Sequence, residues 1–140
     1  MPAMRSAVPA MPVSDIEAAL RFYEGVLGMA VSFREEGFVL LQCDTVEITL
    51  WLAGDKSWRE GRDGPPLQSG AESFLAGTAS CRVHVTDVAD FHARCGAAEA
   101  LHPNGPLGDR PWGMREFAAL DPDGNLLTFY EPAAGLPPLG

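Results

Sequence analysis

Val13-Ser14-Asp15-Ile16-Glu17-Ala18-Ala19-Leu20-Arg21-Phe22-Tyr23 is the stretch on which the fold turns. Ser14 and Asp15 precede Ile16, Ala19, Leu20, Phe22, Tyr23 and Leu27, apolar residues at the spacing of one helix face. Ser or Asp at that place caps the free N–H groups of a first helical turn, so the stretch predicts a strand, a cap and a short amphipathic helix. The same order returns at Val85-Thr86-Asp87, followed by Val88, Phe91 and Cys95. Gly28 and Gly96 fall where helix C-caps are expected.

Strand-like runs follow each helix. In the first half they are Val31 to Arg34, Phe38 to Gln42 and Val46 to Leu52, with a tight turn at Asp44-Thr45. In the second half they are Arg115 to Leu120 and Leu126 to Tyr130, joined by Asp121-Pro122-Asp123-Gly124-Asn125, a strong turn signal. The expected organisation over residues 1–140 is one α+β domain of two βαβββ modules, at about 4–54 and 78–132. The Gly-, Pro- and polar-rich segment at about 55–77 is the expected linker, and His102 to Gly113 a second irregular stretch.

The chain of 140 residues carries a net charge of −9 with 46% hydrophobic residues, an ordinary globular balance. Phosphate binding needs a basic face, so the charge argues against nucleic acid as a partner. An acidic surface suits a cationic partner. The sequence lacks an apolar run of about 18 residues and a signal-peptide pattern, which predicts no membrane association and a cytoplasmic location. Cys43, Cys81 and Cys95 are odd in number and widely spaced, which predicts free thiols rather than disulfides or a zinc knuckle. No nucleophile elbow, phosphate-binding loop or dinucleotide fingerprint is present.

The two repeated halves resemble the vicinal oxygen chelate fold shared by glyoxalase I, ring-cleaving dioxygenases, and the fosfomycin and bleomycin resistance proteins. Ser6-Ala7-Val8-Pro9, Phe22-Tyr23 ahead of Leu27-Gly28, and Phe33 with Phe38 are similar to the bleomycin-binding branch. So are Pro111-Trp112-Gly113, Arg115-Glu116-Phe117-Ala118 and the Asp121 to Asn125 turn, with Met114 as a one-residue insertion. The turn string occurs across the superfamily. The pairing of Ala-Val-Pro with Pro-Trp-Gly is far more specific.

Enzymes of the superfamily hold a divalent metal on four inward strand positions. The resemblance places these at Val8, Glu47, Ser80 and Thr128. Only Glu47 is a good donor, and such metals need three or more nitrogen, sulfur or carboxylate ligands. The expectation is therefore a binding protein, not an enzyme, with no cofactor and no metal held by protein side chains. Of the histidines, His92 is expected on a helix surface and His102 at a loop start. His84 fits a cavity wall or an ordinary sheet position equally well.

The resemblance implies a bleomycin-family glycopeptide antibiotic as partner, sequestered without chemical modification and carrying any metal itself. Flat heteroaromatic groups are held by stacking. The candidate ligand-binding residues are Phe33, Phe38, Trp51, Trp58, Ser80, Arg82, His84, Trp112 and Gly113. Phe33 and Phe38 serve equally well as strand core. Trp58 and Trp112 sit in polar or Gly/Pro-rich segments with no core to fill. The position of Arg82 often holds an aromatic in the family, and a guanidinium also stacks on rings.

Open strand edges and the resemblance together imply a homodimer with exchanged N-terminal arms, Pro9 ending the first strand early. Two alternatives stay open: a metal-dependent lyase or dioxygenase of the same fold, and a binder of another planar metabolite such as mitomycin or a quinone.

Overall fold

The computed structural model of the chain describes residues 1–54 and 75–134. The elements run β1 (Ala10–Val13), α1 (Ile16–Tyr23), β2 (Ala30–Glu35), β3 (Phe38–Cys43) and β4 (Val46–Leu52). They continue with β5 (Ser80–His84), α2 (Val88–Ala97), β6 (Gly108–Asp109), β7 (Met114–Leu120) and β8 (Leu126–Pro132). Each half is strand, helix and three strands, as the repeat predicts. The strands form two four-stranded sheets, of order β1-β4-β3-β2 and β5-β8-β7-β6. In each sheet the first strand lies parallel beside the last, and the other pairs are antiparallel. This is the α+β architecture expected from the repeat.

Both helices start where the caps predict. The Asp15 carboxylate accepts from the Ala18 N–H at 3.2 Å, and Asp87 accepts from the Asp90 N–H at 3.3 Å. Glu131 of β8 adds a second acceptor to α2, its carboxylate 3.2 Å from the Asp87 and Val88 amides. A carboxylate at a helix N-terminus meets both unpaired donors and the positive end of the dipole.

The expected C-caps are corrected. α1 ends at Tyr23 with Glu24 as its cap, and the chain makes further turns before Gly28. Gly96 lies inside α2, which the helix-favouring Ala97 and Ala98 prolong. The left-handed conformation falls on Glu99, at φ 56°.

The N-terminal strand is corrected too. Pro9 precedes β1 rather than ending it. Proline has no N–H to give a ladder, but its carbonyl accepts from the Thr49 amide and hydroxyl, each at 3.0 Å. Pairing with β4 begins there. Residues 1–9 form an arm outside the sheet, with Met1, Met4 and Val8 exposed.

One apolar core joins the halves. Met11, Val13, Leu20, Phe22, Tyr23, Leu41, Ile48, Leu50, Phe117, Leu127 and Phe129 are all buried in it. Phe129 stacks on Phe91 at 5.5 Å and on Phe117 at 5.3 Å between centroids. His92 is not a surface residue: it is half-buried, its ring edge-on to Phe117 at 5.1 Å. The arrangement of α2 over β7 and β8 pulls it inward.

The Asp121 to Asn125 turn is a polar knot as well as a hairpin. Asn125 Nδ2 donates to the Pro12 carbonyl and to Asp121 Oδ2, both at 2.8 Å, and its Oδ1 accepts from the Ala79 amide at 3.1 Å. The Tyr23 hydroxyl donates to Asp121 Oδ2, and the Ser14 amide to Asp123. β1 and α1 are thereby tied to the β7–β8 turn, with every named polar atom partnered, as burial requires.

The three cysteines are free. Burial pushes the Cys81 and Cys95 thiols up to about 11, which keeps them protonated and unreactive near neutral pH. Among the described residues no helix is long and apolar enough to cross a membrane.

Candidate functional site

Strand alternation turns one face of each sheet to the core and leaves the other open. On the first sheet the open face carries an aromatic ridge. Phe38 of β3 lies opposite Trp51 of β4, their rings edge-to-face at 5.4 Å. Phe33 of β2 meets Phe38 at 6.4 Å and 60°. Core packing does not explain Phe33, which is 49% exposed at the end of this ridge. The structure thus brings Phe33, Phe38 and Trp51 together. Further along the same face, Gln42 and Glu47 are paired across β3 and β4, and both are exposed.

On the second sheet Ser80, Arg82 and His84 share the open face, as alternation predicts, and all three are exposed. Two residues the sequence did not mark join them. Tyr130 of β8 lies opposite His84, the rings stacked at 5.0 Å and 12°. The Arg82 guanidinium lies over the same phenol ring, 4.6 Å from its centroid, and donates to Glu116 Oε2 at 2.8 Å. Arg110 Nε approaches the other Glu116 oxygen at 3.9 Å. Glu116 is only 4% exposed, and such a carboxylate needs the cations around it. The signal for Glu116 and Tyr130 lay in the Arg115-Glu116-Phe117 string and in the β7–β8 register, which becomes readable only once the turn is placed.

Trp112 stands on the loop between β6 and β7 and is 57% exposed. Arg110, two residues before it, ties this loop to the second sheet through Glu116. Gly113 takes φ 83°, and its N–H closes a turn on the Arg110 carbonyl at 3.0 Å. Backbone geometry accounts for a glycine at that position. Met114 opens β7 in regular register opposite Pro132. Trp58 lies outside the described residues.

Two cavities adjoin these faces. One, of about 330 Å³, lies between the arm residues Ser6 to Pro9, the start of β4, and β5, where Arg82 and His84 line it. The other, of about 270 Å³, is more apolar and is lined by Leu27, Met29, Ile48, Phe91 and Phe129, with His84 among the residues at its edge. The aromatic ridge borders neither.

The residues at the superfamily's metal positions do not fit a metal. Val8 is apolar, Glu47 and Ser80 are exposed, and Thr128 pairs with Arg82 rather than with Ser80. Among the described residues no three His, Cys, Asp or Glu side chains lie together as a metal-binding group.

Residues 6–129 match the family described as the Glyoxalase/Bleomycin resistance protein/Dioxygenase superfamily. The chain belongs to that superfamily. Within it, a bleomycin resistance protein of Geobacillus stearothermophilus is 42% identical over 128 residues, covering 91% of this chain and 97% of the relative. Two solved structures share the superfamily fold. The Streptomyces verticillus bleomycin-binding protein complexed with copper(II)-bleomycin superposes with a TM-score of 0.65 at 23% identity, covering 92% of this chain and 97% of that one. The lactoylglutathione lyase of Agrobacterium tumefaciens superposes with a TM-score of 0.71 at 22% identity, covering 93% and 95%. The fold therefore hosts binders and enzymes alike, and function has to be argued from the site.

Proposed function

We propose that this superfamily member binds a bleomycin-family glycopeptide antibiotic and sequesters it without chemical change. The observation that carries the proposal is the 42% identity to a bleomycin resistance protein over nearly the full length of both chains. The geometry supports it. The ridge of exposed Phe33 and half-buried Phe38 and Trp51 suits a flat heteroaromatic tail, and Trp112 and the face of Arg82 and His84 supply further stacking surface. Ser80 and the Gly113 turn border that surface. The net charge of −9 suits the drug's cationic end.

The donor set at Val8, Glu47, Ser80 and Thr128 supports a non-enzyme, with any metal arriving on the drug. A homodimer is part of the proposal. Each sheet pairs its first strand on one side only, and Val8, Val31 and Phe33 are exposed beside open strand edges. Arm exchange between two copies would cover them and set the ridge of one protomer against the second sheet of its partner. Free thiols fit a reducing cytoplasm.

Incubating copper(II)-bleomycin with excess protein, then unfolding the protein and weighing the drug, tests the mechanism. An unchanged drug mass after saturated binding is the expected result. A modified mass would turn the reading toward an enzyme of the same fold.

A further inference from the structure

We propose that Glu116 is a positioning residue for ligand binding: it holds the Arg82 guanidinium over the Tyr130 ring, itself stacked on His84, so that the guanidinium offers its free face as a stacking plate for a planar, electron-rich ring. The proposal rests on the drug-binding reading above and deepens it.

The geometry is specific. Arg82 and His84 are alternate residues of β5 on one face, and both contact the Tyr130 ring, at 4.6 Å and 5.0 Å to its centroid. Glu116 lies opposite Tyr130 across β7 and β8, and it fixes the far end of Arg82 with a 2.8 Å charged hydrogen bond. Arg110 approaches the second oxygen and itself donates to the Pro106 carbonyl. Neither oxygen of the buried carboxylate lacks a cation.

Two consequences follow. One carboxylate shared by two guanidinium groups leaves the cluster positively charged within an acidic chain. The plate thus favours the face of an electron-rich ring and disfavours the drug's cationic end, which belongs elsewhere on the acidic surface. Second, Arg82 is held in place while its side chain stays 49% exposed, so it stacks with little further loss of freedom. An arginine thereby does the work of an aromatic ring.

Calorimetric titration with copper(II)-bleomycin, alongside melting temperatures, tests this. Arg82→Met is expected to weaken binding about tenfold, the scale of a desolvated cation–π contact. Arg82→Lys keeps the charge but not the plane, and is expected to lose as much. Glu116→Gln is expected to weaken binding about fivefold in the unmodified chain and not at all in the Arg82→Met background. Equal losses from Glu116→Gln in both backgrounds would make Glu116 merely structural. Full affinity in Arg82→Lys would overturn the plate even if Glu116→Gln does not fold. No binding by the unmodified chain would overturn the drug reading, and the plate with it.

Discussion

Tyr23 donates its hydroxyl proton to Asp121 Oδ2 at 2.9 Å, in a buried contact between helix α1 of the first half and the β7–β8 turn of the second. Tyr23→Phe leaves Asp121 short of one donor at an unchanged ring packing. A loss of about 1–3 kcal/mol is expected in denaturant unfolding, with drug affinity unchanged. Burial first, and the Asp121 charge second, raise the phenol far above its ordinary value. Below about pH 10 the phenol holds its proton in both states. Above that pH the unfolded chain loses the proton first, so stability falls as pH rises, by up to about 1.4 kcal/mol per pH unit. Tyr23→Phe removes that part of the slope.

Trp112 is an exposed indole on a loop tied to the second sheet. Trp112→Ala is expected to cost about 1–3 kcal/mol of binding, a five- to 150-fold loss of affinity. Its melting temperature stays near that of the unmodified chain. Measuring both on one sample separates the cases, since a large fall in melting temperature with affinity intact would make Trp112 a core residue.

The donor set predicts that the purified protein carries no stoichiometric metal and does not turn over hemithioacetals. Elemental analysis and a lyase assay with added zinc and nickel check this. Tight metal binding with turnover would replace sequestration by catalysis.

Removing residues 1–9 removes the Pro9 carbonyl that accepts from Thr49, together with the exposed Met1, Met4 and Val8. The truncated chain is expected to show a lower dimer fraction in sedimentation. An unchanged dimer with unchanged drug affinity would exclude arm exchange.

Much of the fold was legible because local chemistry and tertiary structure agree. Asp15 and Asp87 cap the helices their neighbours announce, and Asp44, at φ 53°, makes the turn expected of it. The shared face of Ser80, Arg82 and His84 was legible by alternation, whereas the meeting of Phe33, Phe38 and Trp51 depends on the β2–β3–β4 register. The polar knot was not, because nothing local to Asp121-Pro122-Asp123-Gly124-Asn125 says that Tyr23 and Pro12 will meet it. Glu116 was hidden for the same reason: its partners Arg82 and Arg110 come from other segments. Pro9 misled because proline ends pairing on its N–H side while its carbonyl remains free to begin it.

The central claim is stoichiometric capture, and a DNA-protection titration tests it most directly. Copper-free bleomycin activated with iron cleaves plasmid DNA, and increasing amounts of this protein are added at a drug concentration well above Kd. Cleavage is expected to fall linearly and to stop near one chain per drug molecule, as one binding surface per chain requires. Protection at amounts far below the drug would mean that the protein consumes it, and no protection at large excess would mean that it does not bind it.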